Sequence, residues 1–309
     1  MVVRKLIGLV LRPLDWFLPT AKIKYLLRLR YEYRRFQKGP VLVLQMGKVG
    51  SRSVEAGLEA RVKDRPVYHS HFLSPDRVAE TEKARRMYFR GERHRYLTRQ
   101  WLSEFVLRTF RAHNDDRTWK IVTITREPVG RNISAFFENL YLVPTGNEGE
   151  FTISSDVYGL EPMVVSADDT DVLAELFFER ARHDTPLKFF DREIRDIFGV
   201  DVIKAGFPIE KGYEIYRSGR VELLVLRLED LSRCAEPAFR EFLGLDNFEL
   251  VNRNIASEKH YASLYSAFKK SVDINENYVR TLLDSDYMRT FYSEDEIRDA
   301  EGRWLTHCG

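Results

Sequence analysis

Short apolar runs alternate with stretches of helical spacing from Val41 onward. Val41–Leu44 is four apolar residues in a row. It runs into Gly47-Lys48-Val49-Gly50-Ser51, and Val54, Leu58 and Val62 then recur every four residues. A brief continuous apolar run, glycines and then helical periodicity predict a buried parallel strand, a tight turn and a crossover helix. A second strand is expected at 66–70 and helical spacing at 101–110. Trp119–Thr125 reads as a third strand, followed by a helix through Tyr141. Residues 213–216 and Val221–Arg227 flank Ser218-Gly219 and predict a hairpin whose second arm is a core strand. Helices are expected at 172–183 and 186–198, then at about 231–243, 258–270, 275–284 and 293–304. Residues 142–171 lack strong periodicity and hold Pro144, Gly146, Gly149, Gly159 and Pro162, so an inserted loop or lid is expected there. The pattern predicts one α/β domain over 39–309, a central parallel sheet between helical layers, preceded by an arm at 1–38.

Composition changes this picture at one end only. Hydrophobic residues at 44% and charged residues at 31% are ordinary for a globular protein. The net charge of +2 hides an asymmetry. Residues 1–40 carry ten Lys or Arg against Asp15 and Glu32, a net +8, which leaves −6 for the other 269 residues. Among those cations stand Leu6, Ile7, Leu9, Val10, Leu14, Trp16, Phe17 and Leu18, divided by Pro13 and Pro19. Such a basic, aromatic, amphipathic arm suits an anionic membrane face, and it equally suits packing on the domain with its charges solvated. Its uncharged runs are far short of a span, and neither a signal peptide nor a transmembrane helix is expected. Cys234 and Cys308 form no disulfide framework and no metal-ligand spacing, which fits a reducing compartment. A cytoplasmic location, peripheral at the inner membrane face if the arm docks there, is the expectation. No nucleic-acid partner is expected.

The first turn carries chemistry. Glycines let a backbone approach an anion, a helix N-terminus offers N–H groups, and Lys48 adds a point charge, with Ser51 and Ser53 as hydroxyl donors. The kinase form of such a loop needs G-x-x-x-x-G-K-[ST]. Leu42 stands where its first glycine belongs, and Val49 follows the lysine, so the hydroxyl that would hold Mg²⁺ is missing. An ordinary strand–turn–helix with a surface lysine is the other reading of the same residues. Lys48-Val49-Gly50-Ser51-Arg52-Ser53 resembles the 5′-phosphosulfate loop of sulfotransferases that use 3′-phosphoadenosine 5′-phosphosulfate (PAPS). Arg52 departs from that pattern, which has a small hydroxyl residue there. Arg126 and Ser134 resemble the family's second signature, an arginine ending a strand and a serine eight residues on, which together hold the 3′-phosphate. Independently of the family, an arginine fork and a hydroxyl two turns into the next helix can grip one phosphate from two sides.

Tyr68-His69-Ser70-His71 resembles the Tyr-His-x-His of uronosyl 2-O-sulfotransferases, in which the second histidine is the proposed base. That resemblance points to His71 as base with His69 beside it, since strand residues two apart share a face. Sulfuryl transfer needs the acceptor hydroxyl deprotonated, a task that suits an imidazole. The two histidines could instead begin a metal site, but no third ligand stands at usable spacing, and no metal is expected. Asn254 to Tyr261, with Lys259, resembles a C-terminal motif of bacterial capsular polysaccharide synthesis proteins that are sulfotransferase-like, which implies Lys259 over the nucleotide phosphates.

The resemblance implies a P-loop-like sulfotransferase fold from about Leu42 onward. It also implies transfer of a sulfuryl group from PAPS to a carbohydrate hydroxyl. Lys48, Val49, Gly50, Ser51, Arg52, Ser53, Arg126, Ser134 and Lys259 would bind the donor. Lys83, Arg85, Arg86, Arg90, Arg93, Arg95 and Arg99 follow the histidines and could steer an anionic glycan toward them, or could simply be solvated. Two other classes stay open. A kinase would need Glu229 and Asp230 for Mg²⁺, and a non-catalytic, membrane-associated protein of capsule assembly would need neither site.

Overall fold

The computed structural model describes residues 18–80, 93–112, 115–155, 157–166, 169–251, 262–271 and 274–305. Its main sheet has five strands: β1 (Val41–Leu44), β2 (Val67–Ser70), β3 (Trp119–Thr125), β7 (Tyr213–Ser218) and β8 (Val221–Arg227). They lie in the order β2-β1-β3-β8-β7. The first four are mutually parallel, with Leu44 opposite Ser70, Val43 opposite Val122 and Thr125 opposite Arg227. β7 closes the edge antiparallel to β8, as the hairpin pattern predicts. β1, β3 and β8 are almost wholly buried, which is why they read as unbroken apolar runs rather than alternating ones.

The chain leaves β1 for β2 on one side and then crosses back to lay β3 on the other. The order therefore reverses between β1 and β3, and in open α/β sheets the crevice beyond the strand ends at such a reversal is where ligands bind. Helices α2 (Ser51–Arg61) and α3 (Arg93–Arg111) follow β1 and β2. α4 (Pro128–Glu138) follows β3 and ends three residues before Tyr141, which the sequence pattern had placed in the helix.

α1 (Leu18–Arg35) lies along α3. It buries Leu29 and Tyr33, and its rings meet Trp101, Phe105 and Trp119. Each buried side chain of that size is worth about 1.5–3 kcal/mol. The partly exposed Lys22–Glu104 ion pair at 2.9 Å is worth about 1 kcal/mol at most, so the clamp is apolar rather than ionic. Arg117 finishes the helix by donating to the carbonyl oxygens of Tyr33 and Phe36.

Residues 142–171, expected to form a loop or lid, hold most of a three-stranded antiparallel sheet: β4 (Tyr141–Pro144), β5 (Glu150–Ser155) and β6 (Leu160–Ser166). Only β5 alternates cleanly, with Phe151, Ile153 and Ser155 inward. β4 is mostly exposed and β6 has a single buried residue, so their period-two signal is faint. α5 (Thr170–Arg180) stands where a helix is expected at 172–183, and the expected helix at 186–198 is split into α6 (Thr185–Phe189), a π-helical turn (Phe190–Arg195) and a short helical end (Asp196–Phe198). The C-terminal part is helical: Leu231–Leu243, Ala262–Ser271, Glu276–Leu283, Asp286–Phe291 and Glu294–Leu305. Among the described residues, no helix is long and apolar enough to cross a membrane.

Candidate functional site

All four parallel strands end on one edge, and the residues singled out from the sequence gather there. The turn after β1 is unusual in its backbone. Gly47, Lys48 and Gly50 all have positive φ, at 81°, 63° and 78°. For a lysine this conformation costs about 1–2 kcal/mol, and such strain persists where surrounding structure imposes it, commonly at ligand sites. At Gly50 a Cβ would also lie 2.8 Å from Leu228 Cδ1, so any other residue would have to push that side chain aside. No side chain caps the start of α2. Val49 is wholly buried, and the Ser53 amide is already bonded to the Gly50 carbonyl. Ser51 is buried beside the turn.

Arg126 reaches this turn from β3, donating from Nη1 to the Lys48 carbonyl oxygen at 2.8 Å. Its own backbone is clasped by Tyr287, whose hydroxyl accepts from Arg126 N and donates to Arg126 O. Ser134 stands one turn before Glu138 on α4, on the same face. Glu138 reaches Lys48 Nζ at 3.2 Å and Arg52 Nη2 at 3.7 Å. The exposed Arg52 therefore shares a carboxylate with the loop lysine.

Glu127 caps α4 by accepting from the amides of Val129 and Gly130. Burial pushes its carboxyl up, although those amides favour the charged form. Its role is helix capping. Glu229 accepts from the Glu127 amide and the Tyr292 hydroxyl, and Asp230 pairs with Arg227 and Arg233. Both carboxylates available to a kinase are thus engaged in holding the fold. Among the described residues, no three His, Cys, Asp or Glu side chains gather as metal ligands.

His69 and His71 have ring centroids 5.0 Å apart. They are linked through Gln45, a fully buried residue just past β1. Gln45 Nε2 lies 2.9 Å from His69 Nε2 and 2.9 Å from His71 Nδ1, and its Oε1 accepts from the Gly47 amide. Glu55 Oε2 lies 2.7 Å from His69 Nδ1. Burial pushes the Glu55 carboxyl up, but the His69 bond and nearby charges outweigh it and hold the group below its ordinary range. With Glu55 accepting from Nδ1, His69 offers Nε2 as an acceptor for the Gln45 amide. His71 Nδ1 faces two Gln45 groups, the side-chain amide and, at 3.3 Å, the carbonyl oxygen. The first leaves the ring proton on Nε2, and the second leaves Nε2 with its lone pair. Burial, then the neighbouring His69 ring and the charges of Arg99 and Arg52, hold His71 well below the usual histidine range.

Three contributors carry no motif. Gln45 is one. Arg131 is a second: buried, it donates to the carbonyl oxygens of Met46 and Gly47 and to Asn132 Oδ1, with no carboxylate bonded to it among the described residues. Burial lowers it to about 10, which still leaves it charged at neutral pH. A Cβ on Gly47 would lie 3.9 Å from both Arg131 Nη2 and His71 Nδ1, so the cation and the imidazole flank the turn. Glu193 is the third. It leaves the π turn to accept from Leu73 N, Ser74 N and Ser74 Oγ, fixing the chain just beyond His71.

Lys259 and the rest of 252–261 lie outside the described residues, as do Lys83, Arg85, Arg86 and Arg90. Nor are the side chains of Arg93 and Arg95 described. Arg99 is, and its charge acts on both His71 and Glu55.

Comparison with known proteins touches the other half of the site. Residues 165–293 match the family model "NKWYS: Putative capsular polysaccharide synthesis protein". The chain is similar to that family over less than half its length. No curated protein and no solved structure matches it. The matched segment begins after Lys48, His71, Arg126 and Ser134, and it contains residues that brace the elements carrying them: Tyr287 clasps Arg126, Glu193 fixes the chain beyond His71, and Glu229 and Tyr278 hold the start of α4. Asn132, for example, donates to the Tyr278 hydroxyl and the His183 carbonyl oxygen.

Proposed function

We propose that this protein is a sulfotransferase that moves a sulfuryl group from PAPS to a carbohydrate hydroxyl in capsular polysaccharide synthesis. One observation carries the reading: a left-handed Gly47-Lys48 turn is bonded to the Arg126 guanidinium where the strand order reverses. The family match over 165–293 supports the polysaccharide context.

In this reading Lys48 and the turn amides face the sulfuryl and 5′-phosphate oxygens, with Ser51 and Ser53 beside them. Arg126 and Ser134 take the 3′-phosphate. The acceptor oxygen attacks sulfur, the bond from sulfur to the 5′-phosphate oxygen breaks, and the acceptor proton passes to His71. The products are the sulfated carbohydrate and adenosine 3′,5′-bisphosphate (PAP). His71 serves as base through Nε2 when its Nδ1 donates to the Gln45 carbonyl oxygen. Burial suits it to the task, because it stays neutral where an exposed histidine would be protonated. Arg99 near the histidines favours an anionic glycan as acceptor.

Lys48→Ala and Arg126→Ala should each weaken PAP binding by roughly tenfold to 150-fold, the loss of one charge-assisted contact. Unchanged affinity in both variants, measured by calorimetry, contradicts the assignment. Glu138 bears on the same equilibrium in the opposite sense. Its carboxylate draws on Lys48 and Arg52, and exposed pairs are worth about 0.2–1 kcal/mol. Glu138→Gln should therefore tighten PAP by up to about fivefold. A weaker complex would instead show that Glu138 helps to position Lys48.

A further inference from the structure

α1 has two working faces. Tyr25, Leu29 and Tyr33, four residues apart, turn toward α3 and β3. Ile23, Leu27 and Tyr31, with the same spacing, line another face and are 56%, 44% and 40% exposed. At 100° per residue the two stripes lie on opposite sides of the helix. The helix also carries Lys22, Lys24, Arg28, Arg30, Arg34 and Arg35 against a single acid, Glu32. Arg30 falls along one border of the exposed stripe and Lys24, Arg28 and Arg35 along the other, with Arg34 on the stripe itself; Arg28 is paired with Glu32 at 3.1 Å.

The structure assigns the outer face of α1 as a docking surface for an anionic lipid bilayer. Charge complementarity and the geometry of the face both suit that occupant. Large apolar side chains at the centre of a cationic strip suit the headgroup boundary of such a bilayer, with the aliphatic stems of the arginines lying alongside. The helix is net +5 while the chain beyond residue 40 is net −6, so this face is strongly cationic on a chain whose remainder is net acidic. The inner face fixes the helix to the domain, so membrane contact does not require the arm to leave it. This reconciles the two roles the sequence left open for the arm, and it does not depend on the donor site.

The full chain should sediment with vesicles of phosphatidylcholine containing about one-third phosphatidylserine, and should stay in solution with pure phosphatidylcholine. Each cation near such a surface contributes roughly fivefold, so Arg30→Ser with Arg34→Ser should weaken binding about 25-fold. Ile23→Ser with Leu27→Ser should weaken it at least about tenfold while leaving the unfolding midpoint unchanged, because these side chains are already exposed. Raising salt to about 1 M, where the screening length shrinks to about 3 Å, should release the protein. Equal binding to both vesicle types, or variants that bind as well as the unmodified chain, overturns the assignment. So does an Ile23→Ser, Leu27→Ser protein that loses stability or changes its sedimenting mass while binding vesicles normally. Those results would mean that another part of the chain, or a second copy, covers the stripe.

Discussion

Replacing His71 with alanine is expected to lower kcat for sulfuryl transfer by about a hundredfold to ten-thousandfold, the usual range for removal of a general base. PAP affinity should stay close to that of the unmodified protein, because the Lys48–Arg126 contact and the left-handed turn do not run through the imidazole. His69→Ala should cost less, since His69 touches His71 by ring contact and through Gln45 but does not itself take the acceptor proton. The pH profile gives a second reading. His71 is held well below the usual histidine value, so the acid limb of kcat should lie below about pH 6.5. The same shift has a sign for stability. Below about pH 6.5 the unfolded chain binds a proton at this position that the folded chain does not, so stability falls as pH drops through that range. His71→Ala should flatten that part of the stability curve. Full turnover in the variant would place the base elsewhere, and Glu127 is a poor substitute because its carboxylate is spent capping α4.

Replacing Arg131 with methionine is expected to destabilise the fold by about 2–4 kcal/mol and to weaken PAP binding at least tenfold. Methionine fills much of the buried volume, so the loss falls on the guanidinium. The carbonyl groups of Met46 and Gly47 would each lose a donor, at about 1–3 kcal/mol apiece. Relief from burying a cation without a bonded carboxylate offsets part of this, which is why the total stays below the simple sum. The effect on PAP follows from position: Arg131 braces the backbone that puts Lys48 at positive φ. Urea unfolding and calorimetry check the two parts separately. An unchanged midpoint with unchanged PAP affinity would reduce Arg131 to a bystander.

Much of this architecture was legible in the sequence because burial on both faces leaves an unmistakable trace. β3 and β8 appear as seven-residue runs, and the expected 231–243 helix matches Leu231–Leu243. The β4–β6 sheet was not legible, because two of its strands bury only one residue each and carry Pro144 and Pro162. Asp286–Phe291 was missed as a separate helix, being only six residues long. In the candidate site, Lys48, His71 and Arg126 follow strand ends at recognisable spacing. Gln45, Arg131 and Glu138 do not. Gln45 matters because β1 and β2 pair in parallel and bring position 45 to the histidines. Arg131 and Glu138 meet the turn across more than eighty residues of chain. Such contacts arise only when the sheet forms, and no local pattern encodes them.

The edge of β1 and β3 is expected to bind a 3′-phosphorylated adenosine nucleotide without a metal ion. Calorimetric titration of the full chain with PAP in the presence of a chelator, beside a titration with ATP and Mg²⁺, tests it most directly. A saturable PAP isotherm that is insensitive to Mg²⁺ and tighter than that of Mg·ATP is the predicted result. Absence of PAP binding, or a preference for Mg·ATP, would contradict it.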